Sequence, residues 1–250
     1  MKRALGLLAL GAALCFAGCG DDPGSAHPRL TVSAAASLKK AFESYASDFA
    51  SAEVRYSFAG SDELAAQIRQ GAKPDVFAAA NTKLPNQLHD EGLVDDPDVF
   101  ATNRLVLTAP EGSSKVSSLT DLEQRGVKLV IGAESVPIGS YTREVLGRLG
   151  PDAEKKILAN VRSNEPDVAG VVGKLTQGAA DAGFVYVTDV AGASGKLRAI
   201  ELPAHLQPRI EYGIAVVKGT NSKEEAEAFV GGLLRGRGRD TLRDAGFELP

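Results

Sequence analysis

One construction occurs twice in the first third of this chain and limits what it can fold into. A short alternating strand runs through small residues into a serine, and an amphipathic helix follows at once. In the clearer copy Val54, Tyr56 and Phe58 alternate with Arg55 and Ser57, the period-two pattern of a half-buried strand. Ala59-Gly60 turns the chain, and Ser61 stands where an N-cap belongs. Leu64 and Ile68 share one helical face before Gly71 stops the helix, and Asp75-Val-Phe-Ala-Ala gives a further apolar strand. In the earlier copy Leu30, Val32 and Ala34 alternate into Ala34-Ala35-Ala36. Ser37 is again placed as an N-cap, and Leu38, Phe42, Tyr45 and Phe49 mark a helical face to Ala50. A strand that passes straight into a helix leaves unpaired N–H groups and the positive end of the helix at the turn. Two such units in one sheet put Ser37 and Ser61 together at its carboxyl edge, where open α/β sheets bind ligands. This is an anion site made without lysine or arginine.

The rest of the chain keeps the α/β rhythm. Helices are predicted over Thr82–Val94, Leu119–Arg125, Ser140–Gly150, Asp167–Gln177 and from Ser222 to Ala245. Strands are predicted within Asn103–Ala109, Lys128–Gly132, Gly183–Val187, Leu197–Leu202 and Arg209–Lys218. Such alternation means an α/β protein with largely parallel sheets. Pro110 and Glu111-Gly-Ser-Ser break the pattern and mark a first crossing between two lobes; the strand Ile210–Val216 marks the return. The expected division is 29–109 plus 213–250 for lobe I and 110–212 for lobe II.

Residues 1–18 read as a lipoprotein signal peptide. Lys2 and Arg3 form its charged start, and Leu5 to Ala17 is an apolar run of secretory length, short for a membrane span. Phe16-Ala17-Gly18-Cys19 resembles a bacterial lipobox, which implies cleavage after Gly18, lipidation of Cys19 and membrane anchoring. A plain secretory leader is the alternative. The polar, turn-rich stretch over 19–28 is the expected tether. The only other cysteine, Cys15, falls inside the leader, so the exported chain has no internal disulfide.

The whole chain has 28 basic against 32 acidic residues, and losing Lys2 and Arg3 makes it more acidic still. The charges are scattered, with no basic stripe, so nucleic acid is not an expected partner. An acidic protein that binds an anion must rely on local dipoles. Enzyme readings fail on inventory. A serine triad needs a histidine, and His27 lies in the tether, His89 on a charged helix face and His205 beside prolines. Gly-x-Ser-x-Gly, a phosphate-binding loop and Gly-x-Gly-x-x-Gly are all missing from the sequence. Neither a cofactor nor a resident metal is expected. Singly, Ser37 and Ser61 could be helix caps and Tyr186 ordinary core. Their recurrence on matching units favours a binding role for the serines, and a tyrosine ending a strand of the second lobe is well placed to lend a hydroxyl.

At the level of motifs, Ala34-Ala-Ala-Ser37-Leu38 and Phe58-Ala-Gly-Ser61, with Leu64-Ala-x-Gln67-Ile68 and Gly71-Ala-x-x-Asp75-Val-Phe-Ala, resemble the molybdate-binding proteins of ABC importers. Val136-Pro137-Ile138-Gly139-x-Tyr141, Glu165-x-Asp167-Val168, Gly183-Phe-Val-Tyr186-x-x-Asp189 and Ala245-Gly-Phe extend the resemblance, in order, over nearly the whole exported chain. The resemblance implies a two-lobed periplasmic-binding-protein fold (type II), each lobe a mixed, mostly parallel sheet flanked by helices. It also implies a monomer that delivers molybdate or tungstate to a membrane permease, with sulfate or another tetrahedral oxyanion as the alternative ligand. The implied ligands are the Ser37, Ser61 and Tyr186 hydroxyls and the amides of Ile138 and Val168. Two departures stand out: Ile138 replaces the family's usual alanine, and Asp62 and Glu63 add negative charge beside Ser61. A surface lipoprotein that recognises proteins, or an esterase-like enzyme, would leave the paired serine turns unexplained.

Overall fold

A computed structural model describes residues 28–250 of the chain. The leader, Cys19 and most of the tether therefore lie outside the described residues. Ten strands follow in order: β1 (Arg29–Ala35), β2 (Glu53–Ala59), β3 (Val76–Ala79), β4 (Asp98–Asn103), β5 (Leu105–Pro110), β6 (Leu129–Gly132), β7 (Val161–Glu165), β8 (Ala182–Tyr186), β9 (Leu197–Glu201) and β10 (Ile210–Val216). They form two five-stranded sheets, ordered β2-β1-β3-β10-β4 and β7-β6-β8-β5-β9, with helices packed on them. Each sheet is mixed. β1 pairs parallel with β2 and β3, and β6 pairs parallel with β7 and β8. The antiparallel pairings come from β10 in the first sheet and β5 in the second. These are the first strands reached after each passage between the sheets.

The crossings differ from the predicted boundaries. All of β5 lies in the second sheet and all of β10 in the first, so the outward passage is at Arg104 and the return between β9 and β10. The apolar run Leu105-Val106-Leu107 signals a buried strand, but its partners, β8 and β9, come from sequence far downstream. No local pattern could assign its sheet. Gln207, on the return segment, ties the passages together: its Nε2 donates to the Leu105 carbonyl (2.9 Å) and its Oε1 accepts from the Leu105 amide (3.3 Å).

The helix Ser61–Arg69 ends as its sequence predicts. Gly71 has φ +99°, and the Gly71 and Ala72 amides donate to the carbonyls of Ile68 and Gln67, the double bond of a Schellman close. The predicted C-terminal helix is instead two, Lys223–Arg235 and Arg237–Asp244, broken at extended Gly236. The strand β7 has one apolar residue in five, and the helices Pro151–Leu158 and Val187–Gly192 span only eight and six residues, too short for a periodic pattern to announce them. Under the first sheet Phe42 packs edge-on against Phe229 (ring centroids 5.6 Å apart) and tilted against Phe100 (5.9 Å). Each such ring contributes about 1.5–3 kcal/mol by leaving water, which fixes the sheet whose carboxyl edge carries the two serines.

Candidate functional site

At the carboxyl edge of the first sheet, β1 runs into a short 3-10 turn (Ala36–Leu38) and β2 into the helix Ser61–Arg69. Across the cleft, the helix Pro137–Arg148 starts with proline at its first turn, and the helix Val168–Thr176 starts behind Asp167, whose Oδ1 accepts the Gly170 amide (2.8 Å). β8 ends at Tyr186, immediately before a further helix. The first-turn amides of these helices have no partner within their own helix. They meet around one small cavity lined by Ser37, Ser61, Ile138, Val168 and Tyr186, among others. All five residues singled out in the sequence are thus brought together, two from one lobe and three from the other. About 20 Å³ of the cavity is open to the centre of a water-sized sphere, room for a compact ion of a few atoms and none for a sugar or peptide.

Neither serine is a helix cap. Ser37 lies inside the 3-10 turn, and its Oγ lies 3.1 Å from the Tyr212 hydroxyl. Ser61 is the first residue of its helix rather than the residue before it; Gly60 takes the cap position, and Ser61 Oγ accepts the Ala80 amide (3.1 Å). The cap falls one position before Ser61, at Gly60, and two positions before Ser37, at Ala35. Because Ala80 N–H occupies a lone pair of Ser61 Oγ, the Ser61 proton is free to be donated elsewhere.

Tyr186 is 1% exposed, and its hydroxyl has no hydrogen-bond partner among the described residues. Leaving a buried hydroxyl unpaired costs about 1–3 kcal/mol, so this atom is poised for an acceptor the protein itself does not supply. Burial pushes the Tyr186 and Tyr212 hydroxyls well above the ordinary phenol value, so both stay protonated donors. Among the described residues on the wall none is lysine or arginine, and the one carboxylate is Asp167, already engaged as a helix cap. Asp62 is not on the wall, although its Oδ1 is buried without a partner. Asp189, half-buried behind Tyr186, accepts the Tyr186 amide (2.9 Å). Burial pushes its carboxyl up to about 7, with a smaller push from Asp167, against the pull of the Tyr186 amide.

At Gly60 the two lobes approach closely. Its backbone (φ −60°, ψ 137°) suits any residue, but a Cβ there would collide with the Pro166 carbonyl oxygen and come within 3.4 Å of Val136 Cγ1, both in the other lobe. Sequence reading assigned this glycine only to a turn. It also missed Asn103 and Tyr212, which do not touch the cavity and reach it through hydrogen bonds. Tyr212 looked like one apolar position of an alternating strand.

Two α/β lobes joined by two crossings, with a donor-lined cavity in the cleft between them, define a solute-binding protein. Residues 30–248 match the model of the bacterial extracellular solute-binding protein family, and the chain belongs to it. It is 35% identical over 246 residues to the molybdate-binding protein ModA of Mycobacterium tuberculosis H37Rv, covering 93% of this chain and 92% of that protein. Identity to ModA of Escherichia coli K12 is 31% over 255 residues, covering 96% of each. The fold superposes on the periplasmic molybdate-binding protein of Azotobacter vinelandii with a TM-score of 0.80 at 24% identity, over 88% of this chain and 99% of that one. No helix among the described residues is long and apolar enough to cross a membrane.

Proposed function

We propose that this protein captures molybdate, and tungstate with it, between its two lobes and delivers the ion to the permease of an ABC importer. The observation that carries the reading is the buried, unpartnered Tyr186 hydroxyl on the wall shared with Ser37 and Ser61. A tetrahedral dianion presents only acceptors, so its site must present donors. It leaves water at tolerable cost only when its oxygens are hydrogen-bonded. The Ser37 and Ser61 hydroxyls from one lobe, and the Tyr186 hydroxyl with the Ile138 and Val168 amides from the other, supply that set. The helix ends behind the amides replace a cationic side chain.

Dividing the donors between lobes makes the ion the bridge that favours the closed arrangement, with reopening at the permease releasing it. The ion leaves chemically unchanged, and the protein acts as a monomer without a cofactor. Cys19, on the sequence of its leader, carries a lipid that anchors the exported protein to a membrane, facing the periplasm or the cell exterior. Metabolic labelling with palmitate, lost in Cys19→Ala, checks that anchor.

Titration calorimetry with molybdate, tungstate, sulfate and phosphate tests the ligand. Molybdate and tungstate are expected to bind at least tenfold more tightly than sulfate. Sulfate binding as tightly as molybdate would move the assignment to the sulfate alternative, because these ions share an acceptor pattern and differ to the site mainly in size.

A further inference from the structure

Behind Ser37 lies a buried hydrogen-bonded chain whose members, Asn103 and Tyr212, do not themselves line the cavity. Asn103 is the last residue of β4, directly before the outward passage, and Tyr212 sits near the start of β10, after the return. Both are buried, at 5% and 0% exposure. Asn103 Oδ1 accepts the Arg104 amide (2.9 Å), which fixes the amide's orientation and turns Nδ2 inward. Nδ2 then donates to Thr188 Oγ1 (2.9 Å), in the other lobe, and to Tyr212 Oη (3.5 Å). An amide nitrogen has no lone pair to offer. Tyr212 Oη therefore accepts from Asn103 and has its single proton left to give, and Ser37 Oγ lies 3.1 Å away, a pair in which either hydroxyl can be the donor. When Tyr212 is the donor, it takes a lone pair of Ser37 Oγ and leaves the Ser37 proton for the cavity.

We propose that Asn103 and Tyr212 are positioning residues that fix the direction of the Ser37 proton, making that corner of the cavity a donor for a fully deprotonated tetrahedral oxyanion. The inference rests on reading the cavity as an oxyanion site. The same Asn103 amide reaches across to Thr188, so one side chain both joins the lobes near the crossing and sets the polarity of the first-lobe serine. Reversing the polarity at position 103 should reverse the chain. In Asn103→Asp the carboxylate accepts from Tyr212, Tyr212 accepts from Ser37, and Ser37 presents a lone pair to the anion.

The decisive experiment is a double-mutant cycle read by molybdate calorimetry on the exported chain, with thermal melting as the check on folding. N103D is expected to weaken molybdate at least 100-fold in the wild-type background. In the Y212F background the reversal cannot pass to Ser37, and the same change is expected to cost less than tenfold. An equal cost in both backgrounds would mean that the added charge or lost packing explains everything, and the relay would be overturned. A neutron structure of the ligand-free protein gives a reading independent of any ligand. A Tyr212 deuteron directed at Ser37 Oγ supports the relay, and one directed at Asn103 refutes it. Should wild-type protein bind none of molybdate, tungstate and sulfate, the oxyanion reading itself fails, while the deuteron position still decides the polarity of the chain.

Discussion

The two lobes supply the cavity in different ways. The first lobe contributes side-chain hydroxyls already held in place, Ser61 Oγ by the Ala80 amide and Ser37 Oγ by the Tyr212 hydroxyl, with the proposed relay aiming the Ser37 proton before any ion arrives. The second contributes backbone amides at two helix starts, with Tyr186, whose hydroxyl has no partner among the described residues. One half is preorganised and the other is left unsatisfied. An ion that docks on the serines would therefore draw the second lobe in by offering Tyr186 the acceptor it lacks. Preorganisation in one lobe lowers the ordering cost of binding, and dissatisfaction in the other gives closure a driving force.

The largest effect should come from removing the preorganised half. Replacing Ser37 and Ser61 together by alanine deletes two bonds to a charged ligand, each contributing about 1.5–3 kcal/mol. Molybdate affinity by calorimetry is expected to fall at least 100-fold, with circular dichroism unchanged. Unchanged affinity would erase the distinction between the lobes. Next, Gly60→Ala places a Cβ against Pro166 and Val136 of the other lobe, which blocks approach of the lobes; within its own lobe it meets only the Asp62 side chain, which can turn away. We expect a tenfold or greater loss of affinity, no loss of melting temperature, and a small-angle scattering profile that stays expanded when molybdate is added.

Tyr186→Phe should separate binding from stability. It removes a ligand bond, at a cost of about tenfold in affinity, yet also removes a buried orphan hydroxyl. The ligand-free protein should be as stable as wild type or up to about 1 kcal/mol more stable by urea unfolding. A clear loss of stability would show that the hydroxyl is satisfied within the protein. Ile138→Ala, which changes the cavity wall but keeps the amide, should alter affinity only a few-fold.

The smallest effect concerns Asp189. Its carboxyl is raised to about 7 in the fold against an unfolded value near 4, so folding favours the protonated form. The stability this contributes is fully present below about pH 4 and is lost as pH rises through 7. Part of the side chain is exposed, so solvent tempers the effect. Over pH 5–8 the melting temperature of the ligand-free protein should fall by a few degrees, and Asp189→Asn, whose amide oxygen can still accept the Tyr186 N–H, should flatten that slope.

Much of this molecule was legible in local patterns. Alternation at Val54, Tyr56 and Phe58, four-residue spacing of Leu64 and Ile68, and Gly71 at a left-handed stop gave a strand–turn–helix unit. Val168, Val171, Val172 and Leu175 at helical spacing gave a helix, predicted from Asp167, which the structure makes its cap, and each of these patterns follows from forces acting within a few residues. Apart from short elements such as β7 and the break at Gly236, what failed depended on partners distant in sequence. The sheet to which Leu105–Leu107 belongs is set by pairing with β8 and β9. The serine caps were mistaken because a hydroxyl beside a helix start can satisfy that helix or something remote, and here Ala80 and Tyr212 were the remote partners.

By itself, then, the sequence determined the elements, their alternation and the small-residue turns that leave amides free, because backbone geometry and apolar spacing are local properties. Only the tertiary structure decided that these turns face each other across a cleft, that Gly60 must stay bare, and that Asn103 and Tyr212 govern a serine many residues away. The direction of a buried proton depends on which donors and acceptors meet in space, and no spacing along the chain encodes that meeting.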